Sequence, residues 1–198
     1  MESHFDDLLD YQQGGRVLSK LPGQRGVGLI ETMVGLVIVS IVFIAGAPSF
    51  STFMQNRKVR NAADAIANGL NLAKTEAVSR NTNVMFTLTA DTGWTVGCTV
   101  ASEPACSANL HARAGLEGSG GVVVPATTVT FNAYGRMPAG AADATINVNN
   151  PLGACEKDGG TLRCLRIEVS TAGRVRSCDP QLNTSNPAAP QACSLALP

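Results

Sequence analysis

The sequence predicts an α+β protein: one long N-terminal helix, half of it suited to a membrane, laid on an antiparallel sheet. Three observations predict this class. An apolar run of membrane-spanning length comes first, a helical spacing of three and four continues beyond it, and from Asn83 the apolar period changes to two. Helix and strands are segregated along the chain, which separates this class from an alternating, parallel α/β sheet.

The run from Val27 to Ala47 is 21 residues long and carries a single charge, Glu31. A helix rising about 1.5 Å per residue crosses about 30 Å of hydrocarbon in that length. The run therefore reads as a membrane span. Leaving a carboxylate unpaired in hydrocarbon costs at least about 2.5 kcal/mol even on the gentlest insertion scale, so Glu31 is expected to reach the interface or find a partner.

Past Pro48 the helical pattern continues to about Asn81, with Phe50, Phe53, Val59, Ala63, Ile66, Leu70, Ala73 and Ala77 forming one apolar stripe. Proline inside a helix removes one hydrogen bond and crowds the preceding turn, so Pro48 is the expected kink. Lys74 and Arg80 are expected on the solvated face.

Six segments then read as strands: Val84 to Thr89, Trp94 to Val100, Val122 to Phe131, Ala144 to Val148, Cys164 to Ser170 and Arg174 to Cys178. Asp91-Thr92-Gly93 supplies a hairpin turn between the first two. Trp94 is expected as a core or edge anchor. The glycine-rich segment from Gly115 to Gly121 lacks a Walker lysine and a following helix, which leaves it a mobile loop. The tail from Asp179 onward has little core-forming content, and Cys193 is expected to tether it.

The chain has 198 residues, room for one globular domain beside the span. Its 15 basic and 15 acidic residues cancel. Any electrostatic function must come from local clustering. Six cysteines, Cys98, Cys106, Cys155, Cys164, Cys178 and Cys193, all follow the span. An even number beyond a membrane suggests disulfides, with 15 possible connectivities, of which the three sequence-local pairs are the expectation. Zinc would need C-x-x-C or H-x-x-x-H spacing, which is absent, and His111 is the only histidine after the span. No metal or cofactor is expected. No catalytic constellation is visible either, since a Ser-His-Asp or Cys-His site would have to use His111.

The residues before the span are not an ordinary secretory signal: acids lie near the start and no small-x-small site follows the apolar run. Gly26 instead follows the basic, polar LPGQR. Counted from Val27, Glu31 is residue five and Pro48 residue twenty-two. That spacing resembles the N-terminus of type IV pilins and type II secretion pseudopilins, although Val27 stands where the family usually has Phe, and Gly28 and Thr32 also depart from the commoner residues.

The resemblance implies that a prepilin peptidase cuts between Gly26 and Val27 and methylates the Val27 amine, that Glu31 pairs with the amine of a neighbouring subunit, and that Pro48 loosens the helix. It divides the chain into a leader (1–26), a transmembrane helix half (27–53) and a globular pilin domain (54–198) outside the membrane. The implied place is the inner membrane, single-pass, with the domain in the periplasm and the assembled chain in a pilus or pseudopilus. Its partners there are other major and minor pilins. VSRNTNVMFTL, GWTVGC and TFNAYGRM further resemble the minor pilins of the FimT/GspH type.

The chemistry-bearing stretch is LRCLRIEVSTAGRVRSC, Leu162 to Cys178. Along its first strand Leu165, Ile167 and Val169 point one way and Arg166 and Glu168 the other. Ser170 to Gly173 supplies a turn, with Gly173 free to take a positive φ. Beyond it Arg174 and Arg176 share a face, roughly 6 to 7 Å apart, each offering a planar fork of donors to phosphate oxygens. Arg163 and Arg166 join the patch only if the sheet brings them to the same side. With no aromatic residue interleaved, contact is expected with double-stranded DNA through phosphates, tolerant of sequence. The alternative is a solvated edge whose arginines pair with Glu168 or Asp179.

Gly173-Arg174-Val175-Arg176 matches the GRxR pattern of FimT-like pilins, which implies DNA uptake in natural transformation. Two other roles remain open: a FimU-like subunit that primes pilus assembly, and a GspH-like pseudopilin of type II secretion.

Overall fold

The computed structural model describes residues 26–100, 106–186 and 188–194; the expected leader, up to Arg25, lies outside them. Contacts divide the chain into two compact units, Met1–Ala45 and Gly46–Pro198, close to the boundary expected near residue 53. Helix α1, Leu29–Ser79, contributes to both and includes Pro48.

In the first unit every described side chain is exposed, including Leu29, Ile30, Leu36, Ile41, Phe43 and Ile44. By length and composition this part of α1 can cross a membrane. Glu31 sits in the first turn of the helix, where a carboxylate complements the unpaired N–H groups of the helix start.

The second unit is built on the other part of α1. Val59, Ala62, Ala63, Ile66, Gly69, Leu70, Ala73 and Ala77 are buried, at the spacing of one helical face. Phe50 and Phe53 continue the periodic stripe but stay exposed. The guanidinium of Arg57 lies 5.5 Å from the centre of the Phe53 ring instead. Periodicity marks a face; burial begins only where the sheets supply a partner.

Two antiparallel sheets follow where one was expected. The first has the order β3-β2-β1-β4, from β1 (Val84–Leu88), β2 (Trp94–Cys98), β3 (His111–Arg113) and β4 (Thr127–Phe131). The second has the order β5-β6-β7, from β5 (Ala144–Val148), β6 (Leu165–Val169) and β7 (Val175–Cys178). Among the described residues, one isolated bridge, Val123 to Asn149, links their flanks. A short helix, α2, spans Leu182–Ser185.

In the first sheet Phe86 lies opposite Val96 and Val129, and Val84 opposite Phe131. These residues join Ile146, Val148, Ile167 and Val169 of the second sheet and the helix stripe in one hydrophobic core. Gly69 lets the helix approach the sheet closely: a Cβ there would come within 2.7 Å of the Phe86 ring and 2.8 Å of Trp94. Trp94 is therefore the core anchor expected.

The hairpin turn at Asp91-Thr92-Gly93 is present, with Thr92 at φ 69°. The segment after Gly115, expected as a mobile loop, is tied down: Leu116 N–H donates to the Asp91 carbonyl, and the buried hydroxyls of Thr92 and Ser119 are 2.6 Å apart. The expected strand from Val122 is shorter, since Pro125 has no N–H for a ladder.

The three disulfides are the sequence-local pairs, Cys98–Cys106, Cys155–Cys164 and Cys178–Cys193. The last closes a separation of 15 residues and ties the tail to β7, a restraint of about 3 kcal/mol in the chain-entropy account.

Truncating Ile66 to alanine should cost about 2–5 kcal/mol and Phe53 to alanine less than about 0.5 kcal/mol, in denaturant unfolding of the detergent-solubilised chain. Equal costs would place Phe53 in the core.

Candidate functional site

The Arg174 and Arg176 segment is delivered by the β6–β7 hairpin. Val169 faces Val175 at its closed end, and five residues turn the chain. Ser170 N–H donates to the Arg174 carbonyl (3.0 Å), Gly173 N–H to the Ser170 carbonyl (2.7 Å) and Arg174 N–H to the Ser170 hydroxyl (3.1 Å). Gly173 has φ 80°, and a Cβ there would lie 1.9 Å from the Gly135 carbonyl oxygen. Only glycine fits both demands. From α1, the Lys74 ammonium donates to the Gly173 carbonyl at 2.9 Å. Lys74, expected on the solvated face, thus fixes this turn to the helix.

The two arginines are unequal. Both line one shallow depression, with Glu168, Ser170 and Ser194. Arg174 is exposed and in no ion pair among the described residues. Arg176 is half-buried and lies opposite Glu168 in the register. Its Nε is 3.6 Å from Glu168 Oε2, and its guanidinium donates to the Ala192 carbonyl. Glu168, 3% exposed, also accepts from the Ser194 N–H and hydroxyl. The depression thus presents two guanidiniums against one carboxylate, with Arg174 the freer of the two.

Arg166 and Arg163 do not enlarge this patch. Arg166 is 1% exposed, its Nε donating to Asn147 Oδ1 at 2.9 Å. Burial does not alternate along β6, because the face that carries Arg166 and Glu168 is covered as well as the face that carries Ile167 and Val169. Arg163 pairs with Glu156 and Asp179, each at 3.7 Å. It lines a separate open groove with Phe53, Arg57 and Arg60 of α1.

Two further polar clusters are engaged within the fold. Glu168, Cys178 and Cys193 bring three potential metal-ligand atoms together, but the two sulfurs are bonded to each other and the carboxylate is engaged as described. Near the end of α1, Glu76 accepts from Arg80 Nε (2.7 Å) and His111 Nε2 (3.0 Å). These hydrogen bonds hold the Glu76 carboxyl below its ordinary value.

At the N-terminal side, Gly26, Val27 and Gly28 are exposed and precede the helix. Thr32 N–H reaches back to the Gly28 carbonyl at 3.2 Å.

The family described as type II transport protein GspH matches residues 62–173, and the prokaryotic N-terminal methylation motif matches residues 21–47. No curated protein matches the chain. Two crystal forms of the type IV minor pilin FimU of Pseudomonas aeruginosa (strain PAO1) are similar. One is 21% identical, covering 63% of this chain and 90% of that one with a TM-score of 0.48. The other is 22% identical, covering 68% and 99% with a TM-score of 0.46.

Two outcomes follow from the geometry. A depressed folded-state pKa makes the Glu76 contribution present above the ordinary value of 4.5 and lost as pH falls through the depressed one. Glu76→Gln should therefore narrow the stability gap to the parent as the pH of thermal melts is lowered below about 4; a gap independent of pH would refute the assignment. Gly173→Ala should cost more than about 1 kcal/mol and shift the amide resonances of Arg174 and Gly135 together.

Proposed function

This chain is a minor pilin or pseudopilin of the FimT/GspH family, and from that premise we propose that it binds extracellular DNA through Arg174 and Arg176 for uptake in natural transformation. The observation that carries the reading is the exposed Arg174, in no ion pair among the described residues and held on a turn that glycine geometry and Lys74 fix to the helix. The fixed turn sets where the side chain starts, and its guanidinium offers a planar fork of donors to phosphate oxygens. Arg176 supplies a second, weaker contact, because Glu168 and Ala192 already engage it. Arg163 and Arg166 have no part in it.

The rest of the molecule serves assembly. A prepilin peptidase removes residues 1–26 and methylates the Val27 amine. Residues 27–53 hold the chain in the inner membrane, with residues 54–198 in the periplasm until it enters a pilus. Glu31 pairs with the amine of a neighbouring pilin there, and Pro48, which has no N–H to offer the preceding turn, loosens the helix as it packs among major and minor pilins. Nothing in this scheme requires enzymatic chemistry.

A second reading is favoured by the matched family itself, described as a type II transport protein. That match ends at Gly173, so both arginines stand outside it. A pseudopilin of type II secretion would use the same helix and methylated terminus and would have no use for DNA.

Duplex binding separates the two. If both arginines contact phosphate, the slope of log affinity against log salt should be about −2, and Arg174→Gln should reduce it by about one while lowering affinity more than Arg176→Gln does. A parent protein that binds neither duplex nor single strand at low salt would leave the secretion reading.

A further inference from the structure

The turn that presents Arg174 has a counterpart. Asn132-Ala133-Tyr134-Gly135-Arg136 has the hydrogen bonds of Ser170-Thr171-Ala172-Gly173-Arg174, position for position. Asn132 N–H donates to the Arg136 carbonyl (2.8 Å), Gly135 N–H to the Asn132 carbonyl (2.8 Å) and Arg136 N–H to Asn132 Oδ1 (3.1 Å). Gly135 has φ 70° where Gly173 has φ 80°.

The hairpin at Thr89–Gly93 shares the backbone bonds, as expected of a common three-residue hairpin loop. Its fifth residue is Gly93, and Thr92 within it is buried. The backbone pattern alone is therefore no signal. What sets the other two apart is a Gly-Arg pair in each, with Arg136 and Arg174 both exposed.

These two turns are in contact. A Cβ on Gly173 would meet the Gly135 carbonyl oxygen and lie 3.3 Å from Arg136 Cα. Met137 N–H donates to the Thr171 carbonyl at 3.1 Å. Lys74 spans both: its ammonium binds the Gly173 carbonyl, and its Cε would lie 3.1 Å from a Cβ on Gly135. Arg136, like Arg174, is in no ion pair among the described residues. The nearby carboxylate of Asp143 is occupied by Thr171 N–H at 2.6 Å.

Beside Arg136 stands Tyr134, 85% exposed, its N–H held by Asn132 Oδ1 at 3.0 Å. An aromatic ring on a braced backbone, with nothing to bury it, is a platform for a base; flanking guanidiniums follow the sugar-phosphate chain. The β6–β7 hairpin itself carries no aromatic residue. The fold brings one there from 40 residues away in sequence.

We infer that the Asn132–Arg136 turn is the second half of the nucleic-acid contact, with Arg136 a phosphate ligand and Tyr134 a stacking platform, so that the site takes single-stranded DNA in preference to duplex. This rests on the DNA-binding reading and adds its substrate class. In a duplex the base faces are already stacked, and only the arginines have something to bind. An unpaired strand offers both phosphates and base faces.

The test uses the full chain in detergent micelles and fluorescence anisotropy with a labelled oligothymidine and with a duplex of equal length. The variants are Tyr134→Ala, Tyr134→Phe, Arg136→Gln and Arg174→Gln, each checked by thermal melting. Tyr134→Ala should lower single-strand affinity about tenfold and leave duplex affinity within about twofold, while Tyr134→Phe binds as the parent does. Arg136→Gln should weaken both and reduce the salt slope by about one. If Arg174→Gln loses affinity but the Tyr134 and Arg136 variants bind like the parent, the second turn has no role and the arginine-pair reading stands alone. A parent that binds neither oligonucleotide overturns both.

Discussion

The close approach of α1 to the first sheet is the constraint on which the rest of the second unit depends. Gly69 leaves room for Phe86 and Trp94 against the helix backbone, and Ala62, Ala63, Ala73 and Ala77 keep the same face shallow. A large side chain at those positions would add apolar area but push the helix away, and overpacking of a core costs as much as it gains. Small residues on the helix and large ones on the sheets are thus two halves of one packing solution. The position of Lys74 relative to the Gly135 and Gly173 turns follows from it.

Electrostatics then grade the arginines by burial. Arg166 is sequestered, with Asn147 bonded to its Nε. Arg176 lies at the rim beside a carboxylate whose own burial makes that pairing costly to break. Arg174 is exposed and forms no ion pair among the described residues. Adjacent cations of the same type therefore differ in what they can offer a ligand, and the difference is set by how far the tail covers the second sheet.

Strands β1, β4 and β5 are legible because they bury alternate residues: Val84, Phe86 and Leu88, Val129 and Phe131, and Ile146 and Val148 announce themselves by period. β3 did not, since His111–Arg113 is three residues long and buries none fully. Phe50 and Phe53 keep the period of the stripe yet are exposed, because sequence does not reveal where the sheets end. Arg166 misled for the converse reason: a second cover over β6 erases the alternation that a one-sided sheet would show. The paired Gly-Arg turns were visible as NAYGR and STAGR, but only the fold reveals that they touch.

All three disulfides join residues close in sequence, at separations of 8, 9 and 15. None connects α1 to a sheet. Under tension along the chain, the load between helix and sheets is carried wholly by noncovalent contacts, so the helix could peel away with every disulfide intact. The segments enclosed by those bonds would not pay out length as it did so. The crosslinks limit how far a strained domain can extend; the row of small residues on the helix decides the force at which extension starts.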